Sequence, residues 1–213
     1  MNFFKKKKND PFFIAEVGQN HQGNLKLALK YIDVFAYHGA SAIKFQMRNN
    51  RKLFSKDAFN QTYNSENAFD KIYGKHREKL ELTFSDFKKI KERCRKKKVF
   101  FMATPFDEES LEKLCKIGVD ILKIASFDLG NLSLVSKMAK KKIPIILSVG
   151  GGQNKHINET VKIIEKFNKN LAILHCNSEY PSPLENLGLE NITILKKKYK
   201  NCVIGLSDHF NGI

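Results

Sequence analysis

The sequence feature that most constrains the fold is a series of short apolar segments, each followed by a segment with helical periodicity. This alternation is typical of parallel strands joined by helical crossovers. Most of the segments are continuous apolar runs, as expected for strands covered by helices outside and packed inside a barrel. Seven strands are predicted, at Phe12–Val17, Ala42–Gln46, Val99–Thr104, Ile121–Ser126, Pro144–Val149, Leu171–Cys176 and Val203–Ser207.

Seven successive βα units are one short of an eight-stranded barrel. The sequence therefore predicts an α/β fold, a TIM-type (β/α) barrel with seven of eight βα units present and the eighth strand missing. Residues 1–11 are assigned to a basic N-terminal segment, and residues 12–213 to a barrel domain that is incomplete at its C-terminus. Either a truncated chain or a barrel with an open seam is expected. Residues 47–82 are long and polar, which predicts an extended loop with a short helix over the barrel mouth.

Composition favours a globular protein of the cytoplasm. The 213 residues include 42% apolar side chains, enough for a sizeable core. No run of 18 apolar residues occurs, and the N-terminus lacks the features of a secretory signal, so no membrane association is expected. Four isolated cysteines without paired spacing are expected to be reduced thiols.

The formal net charge of +16 raises the question of nucleic-acid binding. The charge distribution argues against it, because the basic residues fall in short blocks at the N-terminus and where helices are predicted to end. Cations at helix C-termini favour the helix dipole and remain solvated. The main blocks are Lys5–Lys8, Arg95–Lys98, Lys140–Lys142 and Lys196–Lys198.

Polar residues follow almost every predicted strand, where barrel enzymes place their active sites. Lys44 and Lys123 lie inside apolar strands, where a solvated lysine is out of place. A buried ammonium needs an anionic partner, so these lysines indicate either an anion site or structural ion pairs with Glu16 or Asp128.

Histidines and glycines at other strand ends are weaker signals. His209 follows the seventh strand and is either an ordinary hydrogen-bonded residue or a metal ligand, with Asp208 as a group that could orient it. His175 is interpreted as structural. The run Gly150–Gly152 suits either a tight turn or a phosphate contact.

These strand-end segments resemble the N-acetylneuraminate (sialic acid) synthase family in order and spacing, over nearly the whole chain from residue 12. Several motifs in the same order make a chance resemblance improbable. The segments that carry it are Phe13–Gly23, Ala42–Gln46, Ala103–Phe106, Leu122–Ser126, Ile146–Ser148, Leu174–Cys176, Tyr180–Pro181 and Gly205–His209.

The resemblance implies a transferase of carbohydrate biosynthesis that condenses phosphoenolpyruvate with an N-acylated amino sugar, either N-acetylmannosamine or a diacetamido relative. Catalytic roles are implied for Glu16, Lys44 and Lys123. The two lysines match positions that hold the phosphate and carboxylate of phosphoenolpyruvate, together with Ser126, Ser148, Ser178, Tyr180 and Ser207. Glu16 matches the sugar side, together with Gln46, Thr104, Phe106 and Asp128.

The resemblance also implies a divalent metal, Mn²⁺ or Mg²⁺, held by His209 and by a second histidine expected beyond Ile213. The family's C-terminal antifreeze-like domain, which helps complete the partner's site in a domain-swapped homodimer, is not in this sequence. Four positions depart from the family pattern: Phe127-Asp128 replaces Gly-Glu, Val149 replaces Thr, and Phe210 replaces Thr. These departures leave the acceptor sugar open.

Two other functions are compatible with the sequence. A barrel remnant with half a metal site would bind a phosphorylated or anionic ligand, or another protein, without turnover. An aldolase on the same fold would form a Schiff base through Lys44 or Lys123.

Overall fold

The computed structural model describes Phe4 and residues 11–212, which fall into two compact units. The N-terminal unit is Phe12–Asp120, and the C-terminal unit contains the described residues from Ile121 onward together with Phe4 and Pro11. The predicted basic segment 1–11 lies outside the described residues, apart from Phe4 and Pro11. Its assignment, and the assignment of 12–213 to a single barrel domain, stay predictions.

Three parallel strands form the centre of the N-terminal unit: β1 (Ile14–Gly18), β2 (Ala42–Met47) and β3 (Phe100–Pro105). The register pairs Glu16 with Lys44, and Gln46 with Thr104. The long helices of this unit are α1 (Leu25–Tyr37), α5 (Phe84–Lys96) and α6 (Glu108–Ile117).

Local signals fix where these helices begin and end. The Asn24 side chain caps α1 by accepting from the Leu27 backbone amide, and Thr83 and Asp86 form a reciprocal capping box at the start of α5. Helix α6 ends at Gly118, whose φ of 83° is in the left-handed region that favours glycine. Polar caps at the entry and glycine at the exit therefore bring the chain back to the next strand.

The connection after β2 is more ordered than predicted. Residues 47–82 were expected to form an extended loop with one short helix, but three helices lie here: α2 (Asn50–Leu53), α3 (Lys56–Asn60) and α4 (Tyr73–Lys79). Aromatic contacts stabilise them, since His76 is buried with its ring 4.5 Å from that of Tyr63. The sequence did not reveal these helices, because the segment is polar and each helix is too short to show a helical period.

The C-terminal unit contains four parallel strands, β4 (Ile121–Ile124), β5 (Ile145–Ser148), β6 (Leu171–Cys176) and β7 (Val203–Ser207), paired in chain order. All residues of β4 and β5 are buried. The helices are α7 (Leu132–Lys140), α8 (Asn154–Phe167) and α9 (Glu190–Lys198). Short 3₁₀ turns occur at Ser126–Asp128 and Leu184–Asn186.

Strand order follows chain order in each unit, β1-β2-β3 and β4-β5-β6-β7. A parallel strand followed by a helix and then by the neighbouring strand is the repeating element of a TIM-type barrel. The predicted α/β fold, TIM-type with seven of eight βα units, is confirmed. Within residues 11–212 there are seven such strands and no eighth.

Three further predictions concern the surface and the thiols. Basic residues occupy the last turns of α5, α7 and α9, as the lysine blocks predicted. The four cysteines, all within the described range, form no disulfide. In the described part of the chain, no helix is long and apolar enough to cross a membrane.

The packing of α4 against α3 gives a stability prediction. A Cβ added at Gly74 would lie 2.2 Å from ring carbons of Phe59, which is buried. Because overpacking forces side chains and backbone to shift, we expect Gly74→Ala to lower the free energy of unfolding by about 2 kcal/mol. Urea denaturation followed by circular dichroism measures this.

The neighbouring Lys75→Ala is the matched control, because Lys75 is exposed on the same helix. Its unfolding free energy should stay within about 0.5 kcal/mol of the parent value. Equal stabilities for the two variants would mean that Gly74 is not tightly packed against Phe59.

Candidate active site

Predicted site residues occur in both units, and those of the N-terminal unit lie at the ends of β1, β2 and β3. The register places Glu16 beside Lys44 on adjacent strands, and Lys44 Nζ lies 2.5 Å from Glu16 Oε2. The ammonium is largely buried, while the Glu16 side chain is 42% exposed. Of the two alternatives for Lys44, the structure therefore contains the ion pair with Glu16, and anion binding by Lys44 stays a prediction.

Gln46 extends this pair along the strand ends. Its Nε2 donates to Glu16 Oε1 at 3.3 Å, so both carboxylate oxygens of Glu16 have a protein partner. Thr104 is opposite Gln46 in the register and is fully buried, whereas Phe106 lies just past the end of β3 and is half-buried. Four of the five predicted residues of this unit thus lie at neighbouring strand ends, with Phe106 one residue beyond.

Two charged residues here were missed by the sequence analysis. The Arg48 guanidinium lies over the Phe106 ring, 4.3 Å from its centroid, and its Nε is 3.3 Å from Glu81 Oε1. Glu81 also accepts from Gln19 Nε2 at 3.0 Å. Burial raises the pKa of Glu81 to about 8, against the opposing influence of Arg77 and Gln19. The available signal in the sequence was the position of Arg48 directly after a buried strand, where an arginine needs a partner.

His21, which is part of the strand-end motif after β1, is a structural residue in this geometry. It is 1% exposed, and its Nδ1 accepts from the Gly23 backbone amide at 3.1 Å. Burial lowers its pKa to about 4, so the ring is neutral at physiological pH. A neutral imidazole in this position orders the turn between β1 and α1.

In the C-terminal unit, Lys123 is the central predicted residue. It is 5% exposed, and its Nζ donates to Ser148 Oγ at 2.6 Å and to the Ile124 carbonyl at 3.0 Å. The ammonium therefore lies beside a hydroxyl at the end of the adjacent strand. This arrangement concentrates positive charge and polar groups at the buried ends of β4 and β5.

Asp128 lies close to this charge, at the end of the 3₁₀ turn Ser126–Asp128, and is 4% exposed. Burial raises its pKa to about 6, while a hydrogen bond from Asn131 and the charge of Lys123 act in the opposite direction. The carboxyl group can therefore exchange a proton near neutral pH, which is a property of many acid–base residues.

Hydroxyl groups from two more predicted positions meet at Cys176. The Ser126 and Ser207 side chains lie close to its thiol, and burial raises the thiol pKa. Ser178 is exposed and lies near Gly150, where an added Cβ would be 2.7 Å from Ser178 Oγ. Gly150 thus permits a close approach between the β5 and β6 ends.

His209 and Tyr180 also lie together. Their ring centroids are 4.0 Å apart, and His209 Nδ1 is 2.7 Å from the Asn177 carbonyl oxygen. Because a carbonyl only accepts, Nδ1 carries the proton and Nε2 keeps its lone pair. Asp208 was expected to orient His209, but its Oδ1 instead accepts from the Phe210 amide. His175 bonds the Leu187 carbonyl at 2.7 Å, consistent with its structural interpretation.

The fit of these residues to a divalent metal can be tested from their geometry. Nε2 of His209, with Nδ1 fixed by a backbone carbonyl, suits one ligand position, because metal-bound histidines commonly have such a partner. Within the described residues, no group of three or more His, Cys, Asp or Glu side chains is placed to hold a metal. Metal binding by His209 therefore stays a prediction.

Comparison with known proteins gives a consistent result. The NeuB family matches residues 31–213. The N-acetylneuraminate-9-phosphate synthase of Drosophila melanogaster is 33% identical over 203 residues, which are 95% of this chain and 55% of that protein. The N,N'-diacetyllegionaminic acid synthase of Campylobacter jejuni is 36% identical over 204 residues, or 94% of this chain and 61% of that protein. The chain thus spans a little more than half the length of these relatives.

The structural comparison agrees. A crystal structure of N-acetylneuraminic acid (sialic acid) synthetase from Leptospira borgpetersenii, in complex with citrate, has a TM-score of 0.84 and 38% identity. The match covers 96% of this chain and 67% of that one. Such similarity over nearly the whole chain supports the arrangement of the seven βα units described above.

The elevated pKa of Asp128 predicts how stability depends on pH. The folded carboxyl holds its proton up to a pKa of about 6, whereas the ordinary value is 3.8. The contribution of Asp128 to wild-type stability should therefore fall as the pH rises from about 4 through 6. Asp128→Asn cannot ionise, so between pH 4 and 7.5 it should gain up to about 3 kcal/mol over the wild type.

Urea denaturation of both proteins at several pH values measures this difference. The exposed Glu66→Gln is the control, since it removes a carboxylate from the surface and not from the interior. A difference between Asp128→Asn and wild type that is constant with pH would contradict the inferred environment of Asp128.

Proposed function

Because this chain belongs to the NeuB family, we propose that it carries the catalytic barrel of an enzyme that condenses phosphoenolpyruvate with an N-acylated amino sugar. The products are a sialic-acid-type nonulosonate and inorganic phosphate. Carbon 3 of phosphoenolpyruvate bonds to the aldehyde carbon of the open-chain sugar, water adds at carbon 2, and phosphate leaves. The observation that supports this best is the buried Lys123 ammonium beside the Ser148 hydroxyl.

In this proposal, the phosphoenolpyruvate side is formed around Lys123. An ammonium and neighbouring hydroxyl groups are suitable donors for carboxylate and phosphate oxygens. Their burial strengthens the attraction and fixes the enol carbon in place. By resemblance to the family, the residues assigned to phosphoenolpyruvate are Lys44, Lys123, Ser126, Ser148, Ser178, Tyr180 and Ser207.

The sugar side is assigned to the ends of the N-terminal strands. Glu16 is accessible at its carboxylate and is held by Lys44 and Gln46, which suits it to orient a sugar hydroxyl or to move a proton. Thr104 and Phe106 complete this side. Asp128, with its pKa of about 6, is a second group able to exchange a proton near neutral pH.

A divalent metal, Mn²⁺ or Mg²⁺, would supply Lewis-acid polarisation of the aldehyde oxygen when bound. His209 is the residue of this chain assigned to hold it, through Nε2, with Asn177 fixing the ring from the other side. The second ligand is expected outside the 213 residues.

The acceptor is proposed to be N-acetylmannosamine or a diacetamido-sugar relative. The relatives include synthases of both sialic and legionaminic acids, with identities of 33% and 36%. Identities this similar do not favour one acceptor over the other. Phe127 is largely exposed beside Asp128, at a position where the family pattern has glycine, and is the side chain best placed to alter acceptor preference.

Phosphate release from phosphoenolpyruvate tests this proposal. The chain is compared with a version extended through the gene's downstream reading frame, each with Mn²⁺ and with either N-acetylmannosamine or a diacetamido sugar. We expect acceptor-dependent phosphate release by the extended version, with loss of turnover on chelation. Reactions without acceptor control for simple hydrolysis.

Folded protein that releases no phosphate with either acceptor, in either version, would contradict the proposal and favour an anion-binding role. Borohydride treatment with substrate distinguishes the aldolase alternative, since a trapped amine adduct on Lys44 or Lys123 indicates Schiff-base chemistry. The colorimetric assay measures phosphate release, and mass spectrometry detects the trapped adduct, on the same preparations.

A further inference from the structure

A buried arginine directly after β2 has an unusual set of contacts. The Arg48 side chain is 6% exposed, its guanidinium lies over the Phe106 ring, and its Nε faces Glu81. Burying a guanidinium is costly unless charge and hydrogen bonds compensate it. An arginine held from two sides in this way has little rotational freedom, so it is suited to fix the position of a third group.

That third group is the Gln46 side chain. Arg48 Nη2 donates to Gln46 Oε1, and Gln46 Nε2 in turn donates to Glu16 Oε1 at 3.3 Å. A guanidinium has donors only, so the oxygen of the amide must face it. The amide nitrogen is therefore directed toward Glu16, and the reverse orientation would bring two oxygens together.

The support of Arg48 extends further into the N-terminal unit. Glu81 accepts from Gln19 Nε2 at 3.0 Å, and its side chain is 17% exposed. The result is a series of contacts that runs from Gln19 through Glu81, Arg48 and Gln46 to Glu16, in which Arg48 Nε lies close to Glu81 without a hydrogen bond. Only its last member is widely accessible, with 42% of its side chain exposed.

We propose that Arg48 is a positioning residue for the acceptor sugar, which sets the orientation of the Gln46 amide and, through it, of the Glu16 carboxylate. This inference rests on the proposed function, in which Glu16 and Gln46 face the sugar. The ligand it implies is a hydroxyl-rich open-chain sugar, whose hydroxyl groups hydrogen-bond to one carboxylate and one amide held in fixed positions. In the proposed function, phosphoenolpyruvate is held around Lys123, which is not part of this series of contacts.

Two variants and a matched control test the proposal. Arg48→Met removes the donors and keeps much of the apolar stem, while Arg48→Lys keeps the charge but not the planar pair of donors. Arg51→Met is the control, because Arg51 also pairs with a glutamate, at 2.8 Å from Glu78, and lies over a phenylalanine ring, 4.7 Å from Phe59. Arg51 is exposed, and neither of these contacts involves Gln46.

The first readout needs no turnover. Side-chain amide resonances of Gln46 in a ¹H–¹⁵N spectrum of the 213-residue chain are assigned by their loss in Gln46→Met. We expect Arg48→Met to shift them and to speed their exchange with water, with a smaller change in Arg48→Lys and none in Arg51→Met. Unchanged Gln46 resonances in a folded Arg48→Met protein would overturn the proposal, whatever the enzyme activity.

The second readout uses whichever version of the protein is active in the phosphate-release assay. Arg48→Met should raise the KM for the acceptor by about tenfold and lower kcat, while the KM for phosphoenolpyruvate stays within about twofold. Arg48→Lys should recover part of the loss. An equal rise in both KM values would indicate general disruption of the fold and would also overturn the proposal.

Failure of the proposed function is recognised separately, because it appears as an inactive wild type. In that case the Gln46 resonances still decide whether Arg48 orients the amide. Circular dichroism melting of each variant establishes that the comparison is made between folded proteins.

Discussion

The hydrogen bond between the Lys123 ammonium and the Ser148 hydroxyl places a positive charge in the interior of the C-terminal unit. Strand β4 is buried throughout, so the Lys123 ammonium is surrounded by protein groups instead of water. A buried charge is tolerated only where polar partners are fixed around it. The Ser148 hydroxyl, the Ile124 carbonyl and the nearby Asp128 carboxyl meet that requirement, and each is positioned by the end of β4 or β5.

The same physical requirement explains the N-terminal unit. Lys44, Arg48 and Glu81 are ionisable side chains with limited access to water, and each has a partner on a neighbouring strand end or loop. The strands that carry them have an apolar interior, in which Ile43, Phe45 and Phe101 of β2 and β3 are fully buried. Apolar strand interiors thus form the rigid support, and the strand ends hold polar groups in defined positions for chemistry.

The sequence predicted the strands well, because buried parallel strands are continuous apolar runs with few alternative explanations. Leu171–Cys176 and Val203–Ser207 agree with the structure at both ends. Residues 47–82 were predicted poorly, since helices of four to seven residues carry no readable period. The aromatic contacts that hold them join residues far apart in the chain, which a local pattern cannot reveal.

The same distinction applies to the candidate site. Lys44 and Lys123 were found because a lysine inside an apolar strand conflicts with its surroundings. Arg48 and Glu81 were missed because each lies in a polar stretch of sequence, where an ionisable side chain is expected to be exposed. Only the structure shows that both side chains are largely buried. The hydrogen bond from the Phe210 amide to Asp208 depends on backbone geometry beyond β7, which the sequence pattern does not show. Residue type at a strand end thus predicted which residues lie near one another within each unit, but not which hydrogen bonds join them.

The most direct test of this account is a calorimetric titration of phosphoenolpyruvate into the chain at pH 7, without acceptor. Lys123→Met removes the buried charge, and Lys140→Met, at the exposed end of α7, removes an equal charge from the surface. The account predicts binding that weakens by at least about tenfold in Lys123→Met and is retained in Lys140→Met. Equal affinity in both folded variants would contradict the assignment of Lys123 to the anion site.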